Sequence, residues 1–307
     1  MKLFKIKNEN IEQIKNDPFK LERDIQDVVE KNVNTLFDVE FVKSEFKIQN
    51  FRFDTLCFDN DNNSFVIIEY KKGKSYSVID QGYTYLSILL NNKSDFILEY
   101  NETMNKTLKR DEVDWSQTKI IFVSPKFSEF QKNSINFKNI PFYLWEISRF
   151  ENNTIGLTKL ETTSKEDINT IGDSKSSSVV KQVSKEVITY DEDYHLFKSK
   201  NRPQKVIEIY KELKEFILDL GDDIECVVKK QTIGFKKERF FVDLIVYDKG
   251  IGVVLNMKKG ELDDYKNLCE DLSQKGHWGN GDHRVWTHEI NDIDYIHHLI
   301  KDSYKKS

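Results

Sequence analysis

Residues 52–85, RFDTLCFDNDNNSFVIIEYKKGKSYSVIDQGYTY, decide how the rest of the chain is read. RFDTLCFD reads as an apolar strand with one acid, Asp54, near its start. DNDNN (Asp59–Asn63) is dense in turn residues and marks a hairpin. SFVIIEYKK is a run of consecutive apolar residues, the pattern of a central strand buried on both faces, and it ends in Glu69, Tyr70 and Lys71. KGKS (Lys72–Ser75) breaks the strand. SVIDQGYTYLSILLNN (Ser77–Asn92) then has helical spacing at Val78, Tyr85, Leu86 and Leu89.

Glu69 and Lys71 are two residues apart, so they share one face of a strand. Asp54 precedes Glu69 by 15 residues, and a short turn brings the two acids together. Charge at the end of an apolar strand is costly unless it is paired or metal-bound. Two carboxylates on adjacent strands suit a hard cation such as Mg²⁺ or Mn²⁺, which takes oxygen ligands and keeps several waters. The Tyr70 carbonyl offers a third ligand, and Lys71 a group to orient or deprotonate water. Phosphodiester hydrolysis needs this equipment: a water in line with the leaving oxygen and positive charge against the phosphate. Other readings of the same residues stay open. Asp54 is also readable as a surface acid beside a turn, and Glu69–Lys71 as a surface pair. Gln81 and Tyr85 are either site residues or ordinary helix-face residues. Arg52 contacts phosphate or pairs with an acid, and Lys72 and Lys74 bind phosphates or sit in a solvated loop.

Upstream, residues 1–15 suggest a strand and a turn. From Pro18, PFKLERDIQDVVEKNVNTLF reads as one helix, with Leu21, Ile25, Val28, Val29 and Val33 at helical spacing and Glu22 one turn before Gln26. Glu22 is a helix-dipole partner or a further acid near the site. FDVEFVKSEFKIQ reads as a strand. Downstream come TKIIFVSP (strand), KFSEFQKNSINF (helix), IPFYLWEISRFE (strand) and NTIGLTKLE (a last strand). The order implies an α/β architecture with a mixed sheet flanked by helices over residues 1–161. Residues 162–190 lack large apolar residues, contain a Ser-rich run and read as a linker.

Residues 191–307 read as a second, α+β domain. A helical stripe (Val206, Ile209, Tyr210, Leu213, Phe216, Ile217) precedes three strands with turns at Lys236–Lys237 and Lys249–Gly250. A helix, ELDDYKNLCEDLSQ, is expected next, then a loop, a strand and a final helix. All six histidines lie here, at 195, 277, 283, 288, 297 and 298, in no familiar metal spacing, so structural or surface roles outweigh a zinc cluster. Phe241–Gly260 echoes the opening hairpin: Asp243 stands where Asp54 does, Asn256 where Glu69 does and Lys258 where Lys71 does. The echo is a degenerate copy of the first unit or two hairpins of like composition. A copy requires the same helix–hairpin–helix layout.

The 307 residues carry a net charge of −5, with 32% charged and 38% hydrophobic residues. That excludes a broadly basic nucleic-acid coat but not a local binding surface. No apolar run reaches the roughly 18 residues of a membrane span, and the polar start is unlike a signal peptide. A cytoplasmic location without membrane contact is expected. Three scattered cysteines, Cys57, Cys226 and Cys269, imply neither a disulfide framework nor a cysteine zinc site.

The succession RFD, VIIEYKKGK and QGYTYL resembles the PD-(D/E)XK nuclease superfamily, with its restriction-endonuclease-like fold, and most nearly its NucS/DUF91-like branch. The resemblance covers roughly residues 15–160. The proline of the superfamily's name is absent, and Phe53 precedes Asp54 instead. The resemblance implies Asp54, Glu69 and Lys71 as catalytic residues with Gln81 and Tyr85 beside them. It implies Asp54, Glu69, the Tyr70 carbonyl and Glu22 around Mg²⁺ or Mn²⁺. DNA is the implied substrate, in defence or repair, and RNA stays open. One catalytic centre per chain would make a homodimer one route to a double-strand cut. The C-terminal region resembles the DUF5655 domain, which carries no implied activity. The alternative is a non-catalytic module that binds nucleic acid or protein on a nuclease-like scaffold.

Overall fold

The computed structural model describes residues 1–73, 77–137, 139–164, 166, 177–200, 202–288 and 293–307, which form two compact units, Met1–Thr189 and Tyr190–Ser307. Lys74 and Ser75 of the strand-breaking segment, and most of the Ser-rich run, lie outside the described residues.

The first unit opens on a hairpin, β1 (Leu3–Lys7) and β2 (Asn10–Ile14), where one strand and a turn were expected. The single helix expected after Pro18 is two, α1 (Glu22–Glu30) and α2 (Val33–Phe37), because Asn32 leaves helical geometry at φ −136°. The predicted strands follow as β3 (Glu40–Ile48), β4 (Phe51–Asp59) and β5 (Ser64–Tyr70). Then come α3 (Val78–Asn91) and, directly after it, α4 (Lys93–Met104). The sequence reading has no α4, since only Phe96 and Tyr100 of its twelve residues are buried and the apolar stripe is too thin to see. β6 (Lys119–Ser124), α5 (Glu129–Ser134), β7 (Phe142–Arg149) and β8 (Ile155–Leu160) complete the predicted order.

These strands form one mixed sheet in the order β3-β4-β5-β6-β7-β8. β3, β4 and β5 pair antiparallel through tight turns, whereas β5, β6 and β7 run parallel because helices carry the chain back across the sheet. β5 is buried along its whole length. Its two faces serve two cores. Phe65 and Ile67 pack with Leu86, Leu89 and Phe96 from α3 and α4, and Val66, Ile68 and Tyr70 pack with Ile25 and Val29 of α1. α3 comes so close to β7 that a Cβ on Gly82 would lie 2.6 Å from the Phe142 ring, so glycine is what permits this approach.

The linker expected over residues 162–190 holds a helix, α6 (Ser177–Glu186), instead of plain connector. Val183 and, just beyond it, Val187 are buried in the core beneath α3. Two valines were too few to signal it.

The second unit contains α7 (Glu192–Phe197), α8 (Gln204–Leu218), β9 (Glu225–Val228), β10 (Ile233–Lys236), β11 (Phe240–Val246), β12 (Ile251–Leu255), β13 (Glu270–Asp271), β14 (His283–Thr287) and α9 (Ile293–Lys306). Its sheet runs β13-β14-β12-β11-β10-β9 and is antiparallel throughout. Two expectations fail here. Four strands, not three, precede residue 256, and ELDDYKNLCEDLSQ forms turns and β13 in place of a helix. Without a helical crossover β14 returns antiparallel to β12, so the layout of the first unit is not repeated. The hairpins share composition, and the degenerate-copy reading falls.

Among the described residues no helix is long and apolar enough to cross a membrane.

Candidate active site

The antiparallel register of β4 and β5 ends with Thr55 opposite Ile68, so the next pair outward is Asp54 and Glu69. The sequence-predicted acids therefore meet directly across the hairpin. The Tyr70 backbone N–H donates to Asp54 Oδ2 at 3.0 Å. Lys71 continues beside β6, its N–H donating to the Val123 carbonyl at 2.9 Å. Its ammonium donates to Glu69 Oε1 at 2.8 Å, and both side chains are nearly enclosed, with 5% of Glu69 and 11% of Lys71 exposed.

α3 supplies the next layer. Gln81 Nε2 donates to Glu69 Oε1 at 2.7 Å and to the Tyr85 hydroxyl at 2.9 Å. The Tyr85 hydroxyl in turn donates to the Arg52 carbonyl at 3.2 Å. Gln81 and Tyr85 lie one helical turn apart, which is why both reach the same strand ends. Phe53, directly before Asp54, is fully buried and packs edge-on against Tyr85 at a centroid separation of 4.7 Å. Such aromatic pairs contribute about 0.5–1.5 kcal/mol beyond their area.

The charge distribution is lopsided. Glu69 Oε1 receives both the ammonium and the amide, while Glu69 Oε2 is buried with no hydrogen-bond partner. A buried carboxylate oxygen without a partner is unusual and calls for an explanation. Burial, and then the like charge of Glu69, push the Asp54 carboxyl up to about 7, against the opposing pull of the Tyr70 N–H and Lys71. Burial also raises the Tyr85 phenol, with Glu69 adding to it, so it stays a neutral hydrogen-bonding group.

Glu22 stands apart from the pair. Its Oε1 accepts from the Lys72 N–H at 2.6 Å at the exposed start of α1. Among the described residues no group of three or more His, Cys, Asp or Glu side chains gathers to hold a metal, so Glu22 is not brought into one cluster with Asp54 and Glu69. Arg52 pairs with Glu45 at 2.8 Å, and Glu45 lies within 3.7 Å of Arg23.

Sequence reasoning missed a polar layer on the α1 side of the hairpin. Gln26 is 5% exposed and donates to the Asp54 carbonyl at 3.1 Å and to Glu30 Oε1 at 2.8 Å. Thr55 donates to the same Glu30 oxygen at 2.7 Å and lies 3.0 Å from the Tyr70 hydroxyl. The available signal was a glutamine beside the apolar stripe of Ile25 and Val29, one turn after Glu22.

His297 stacks on the Phe216 ring, and the other histidines of the second unit are tied to backbone carbonyls. His195 meets Lys229, His277 meets Lys275 and Gly281, His283 meets Lys258 and His288 meets Lys249. These contacts give them structural roles in closing loops.

Comparison with solved structures finds a repair endonuclease from Pyrococcus abyssi, at 16% identity and TM-score 0.24 over 42% of this chain and 48% of that one. EndoMS in its apo form is 14% identical, with TM-score 0.28, over 43% of this chain and 48% of that one. The chain thus spans about half the length of either protein. The family model "Domain of unknown function (DUF5655)" matches residues 195–307, which are the second unit less its first five residues. An "Uncharacterized protein" of Haemophilus influenzae is 42% identical over 315 residues, covering 99% of this chain and all of that protein. With this likeness running through both units, the chain belongs to one family with the Haemophilus influenzae protein.

Proposed function

We propose that the chain is a metal-dependent endonuclease that hydrolyses phosphodiester bonds of DNA, with Asp54 and Glu69 holding Mg²⁺ or Mn²⁺. The observation that carries this reading is the partnerless, buried Glu69 Oε2 next to an Asp54 carboxyl pushed up to about 7. A buried and a half-buried carboxylate with one oxygen free are a fitting donor set for a hard cation and a poor one for anything neutral. The Tyr70 carbonyl completes the set as an oxygen ligand. Glu22, tied to the Lys72 N–H, stays outside this set.

When bound, the ion would supply positive charge against the phosphate and make a nearby water more acidic. The protein's own residues do the rest. Lys71 and Gln81 both hold Glu69 Oε1, so the carboxylate is fixed with Oε2 left for the cation. Tyr85, anchored on the Arg52 carbonyl, fixes Gln81. Lys71 brings a positive charge to the same strand end and orients the attacking water. DNA as the polymer rests on the motif's resemblance to the PD-(D/E)XK nucleases.

Circular single- and double-stranded DNA and an RNA of matched length, each with and without Mg²⁺ or Mn²⁺, test the reading. Cleavage of DNA is expected only with the ion, and Asp54→Ala, Glu69→Ala and Lys71→Ala each abolish it while the circular dichroism spectrum stays that of the wild type. Cleavage that survives all three substitutions overturns the assignment. Wild-type protein that binds DNA but neither takes up Mn²⁺ nor cuts favours a binding module.

A further inference from the structure

We infer that Gln26 is a positioning residue for the cation site: its side-chain amide fixes the main chain of Asp54 from the opposite face of the sheet. The inference rests on the reading of Asp54 and Glu69 as cation ligands.

Gln26 lies on α1 beside Ile25 and Val29, on the side of the helix that packs on the sheet. A leucine or methionine there would bury as well and need no partners. Instead the amide is enclosed, and its two hydrogens face four acceptors: Glu30 Oε1 at 2.8 Å, the Asp54 carbonyl at 3.1 Å, Ser44 Oγ at 3.3 Å and Glu45 Oε1 at 3.4 Å. The two shortest contacts use both hydrogens. One goes to a carboxylate that also receives Thr55, and the other to the peptide of the candidate ligand.

Asp54 sits one residue past the end of the β4–β5 ladder, so its peptide lacks the pairing to β5 that holds Thr55, although β4 still runs beside β3 there. Other contacts replace that pairing. Tyr70 N–H takes the Asp54 carboxylate, and Gln26 takes the Asp54 carbonyl. The next residue, Thr55, is held through its hydroxyl to Glu30 and Tyr70. α1 is thereby joined to the end of β4 by directional bonds in addition to apolar packing. Ligand geometry depends on such supporting bonds, and losing one typically weakens metal binding about 10–100-fold.

Mn²⁺ calorimetry and thermal unfolding of the full chain test this. Gln26→Met keeps the length and apolar bulk and removes both N–H donors. It is expected to weaken Mn²⁺ binding about tenfold. Ser44→Ala, which touches the same amide but not Asp54, leaves Mn²⁺ binding at the wild-type value. Should Gln26→Met fail to fold, Gln26→Asn takes its place, since it keeps the amide but draws it one methylene back from the Asp54 carbonyl. Wild-type-like binding by the folded Gln26 variant overturns the positioning role and leaves the cation site standing. Equal weakening by Ser44→Ala overturns it too, because general packing then explains the loss. Absence of Mn²⁺ binding by the wild type overturns the cation site and this inference together.

Discussion

Both units end a central hairpin in polar residues, and each leaves one buried oxygen without a partner, Glu69 Oε2 in the first and Asn256 Oδ1 in the second; the difference is that the first belongs to a carboxylate and the second to a neutral amide. Across β4 and β5, Asp54 faces Glu69, and one carboxylate oxygen is left without a partner. Across β11 and β12, Asp243 faces Val254. The Asp243 carboxylate is fully buried and takes bonds from the Thr232 hydroxyl at 3.1 Å, the Asn256 amide at 3.1 Å and the Asn280 N–H at 3.3 Å. Asn280 reaches it because the following loop lies tight on β12; a Cβ on Gly281 would collide with the Leu255 carbonyl. Lys258, the counterpart of Lys71 in the sequence, is exposed. One hairpin keeps two acids in conflict, which a cation would relieve. The other has an amide in place of the second acid and is capped by its own loop. Two stretches that look alike in sequence thus differ in whether a charge is left to be neutralised from outside.

The strongest test of this contrast makes the first hairpin resemble the second. Glu69→Gln removes the second charge and keeps the shape. Mn²⁺ affinity and DNA cleavage are expected to fall by more than the roughly 10–100-fold that a supporting residue costs. The metal-free protein is expected to become more stable, by on the order of 1 kcal/mol, as substitutions that relieve a functional site's strain do. Metal-free unfolding curves and Mn²⁺ calorimetry on the same samples check both. A variant that loses stability along with metal binding breaks the contrast, since Glu69 would then be a structural acid like Asp243.

The converse substitution removes the acid of the capped hairpin. Asp243→Ala leaves the Thr232 hydroxyl, the Asn256 amide and the Asn280 N–H without their common acceptor. A loss of about 2–4 kcal/mol in urea unfolding of the second unit is expected. Cleavage measured well below the unfolding midpoint stays at the wild-type rate. A fall in rate with the fold intact would show that the Asp243 cluster takes part in the chemistry.

The contrast also shows what the sequence could and could not say. Asp54, Glu69, Lys71, Gln81 and Tyr85 were legible because each sits on an element whose period fixes its direction: alternate residues on β5, one turn on α3. The meeting of Asp54 with Glu69 follows from the turn and the register alone, whereas Gln81 and Tyr85 reach them through the packing of α3 on the sheet. Gln26 was not legible as a partner of Asp54, because a contact between residue 26 and residue 54 depends on how α1 packs on the sheet. α4 and α6 hid behind thin apolar stripes, with Phe96 and Tyr100 in one and Val183 in the other. The capping of Asp243 was hidden because no spacing in the sequence sets Asn280 against residue 243, and the segment between β12 and Asn280 misleads as well. ELDDYKNLCEDLSQ has helix-like composition, and only the packed structure shows it as turns. The echo between the hairpins was real as composition, but it carried no information about the strand that follows.

A smaller effect probes the same pair through protons. The Asp54 carboxyl is raised from the usual 3.8 to about 7, chiefly by burial and then by Glu69, with Glu45 adding a little and the Tyr70 N–H and Lys71 opposing. Between those two values the folded protein binds more protons at this site than the unfolded chain does. Metal-free stability from this group is therefore greatest at low pH and is lost as pH rises toward 7. A cation competes with that proton, so Mn²⁺ binding strengthens over the same range and levels off above about 7. Other carboxylates titrate nearby, so the informative quantity is the wild-type curve minus that of Asp54→Asn, by unfolding and by calorimetry. In Glu69→Gln the like charge is gone, and the remaining dependence moves to lower pH. If the difference curve is flat from pH 5 to 8, the Asp54 carboxylate is already charged when the site is empty. The tension that separates the two hairpins would then have to come from Glu69 alone.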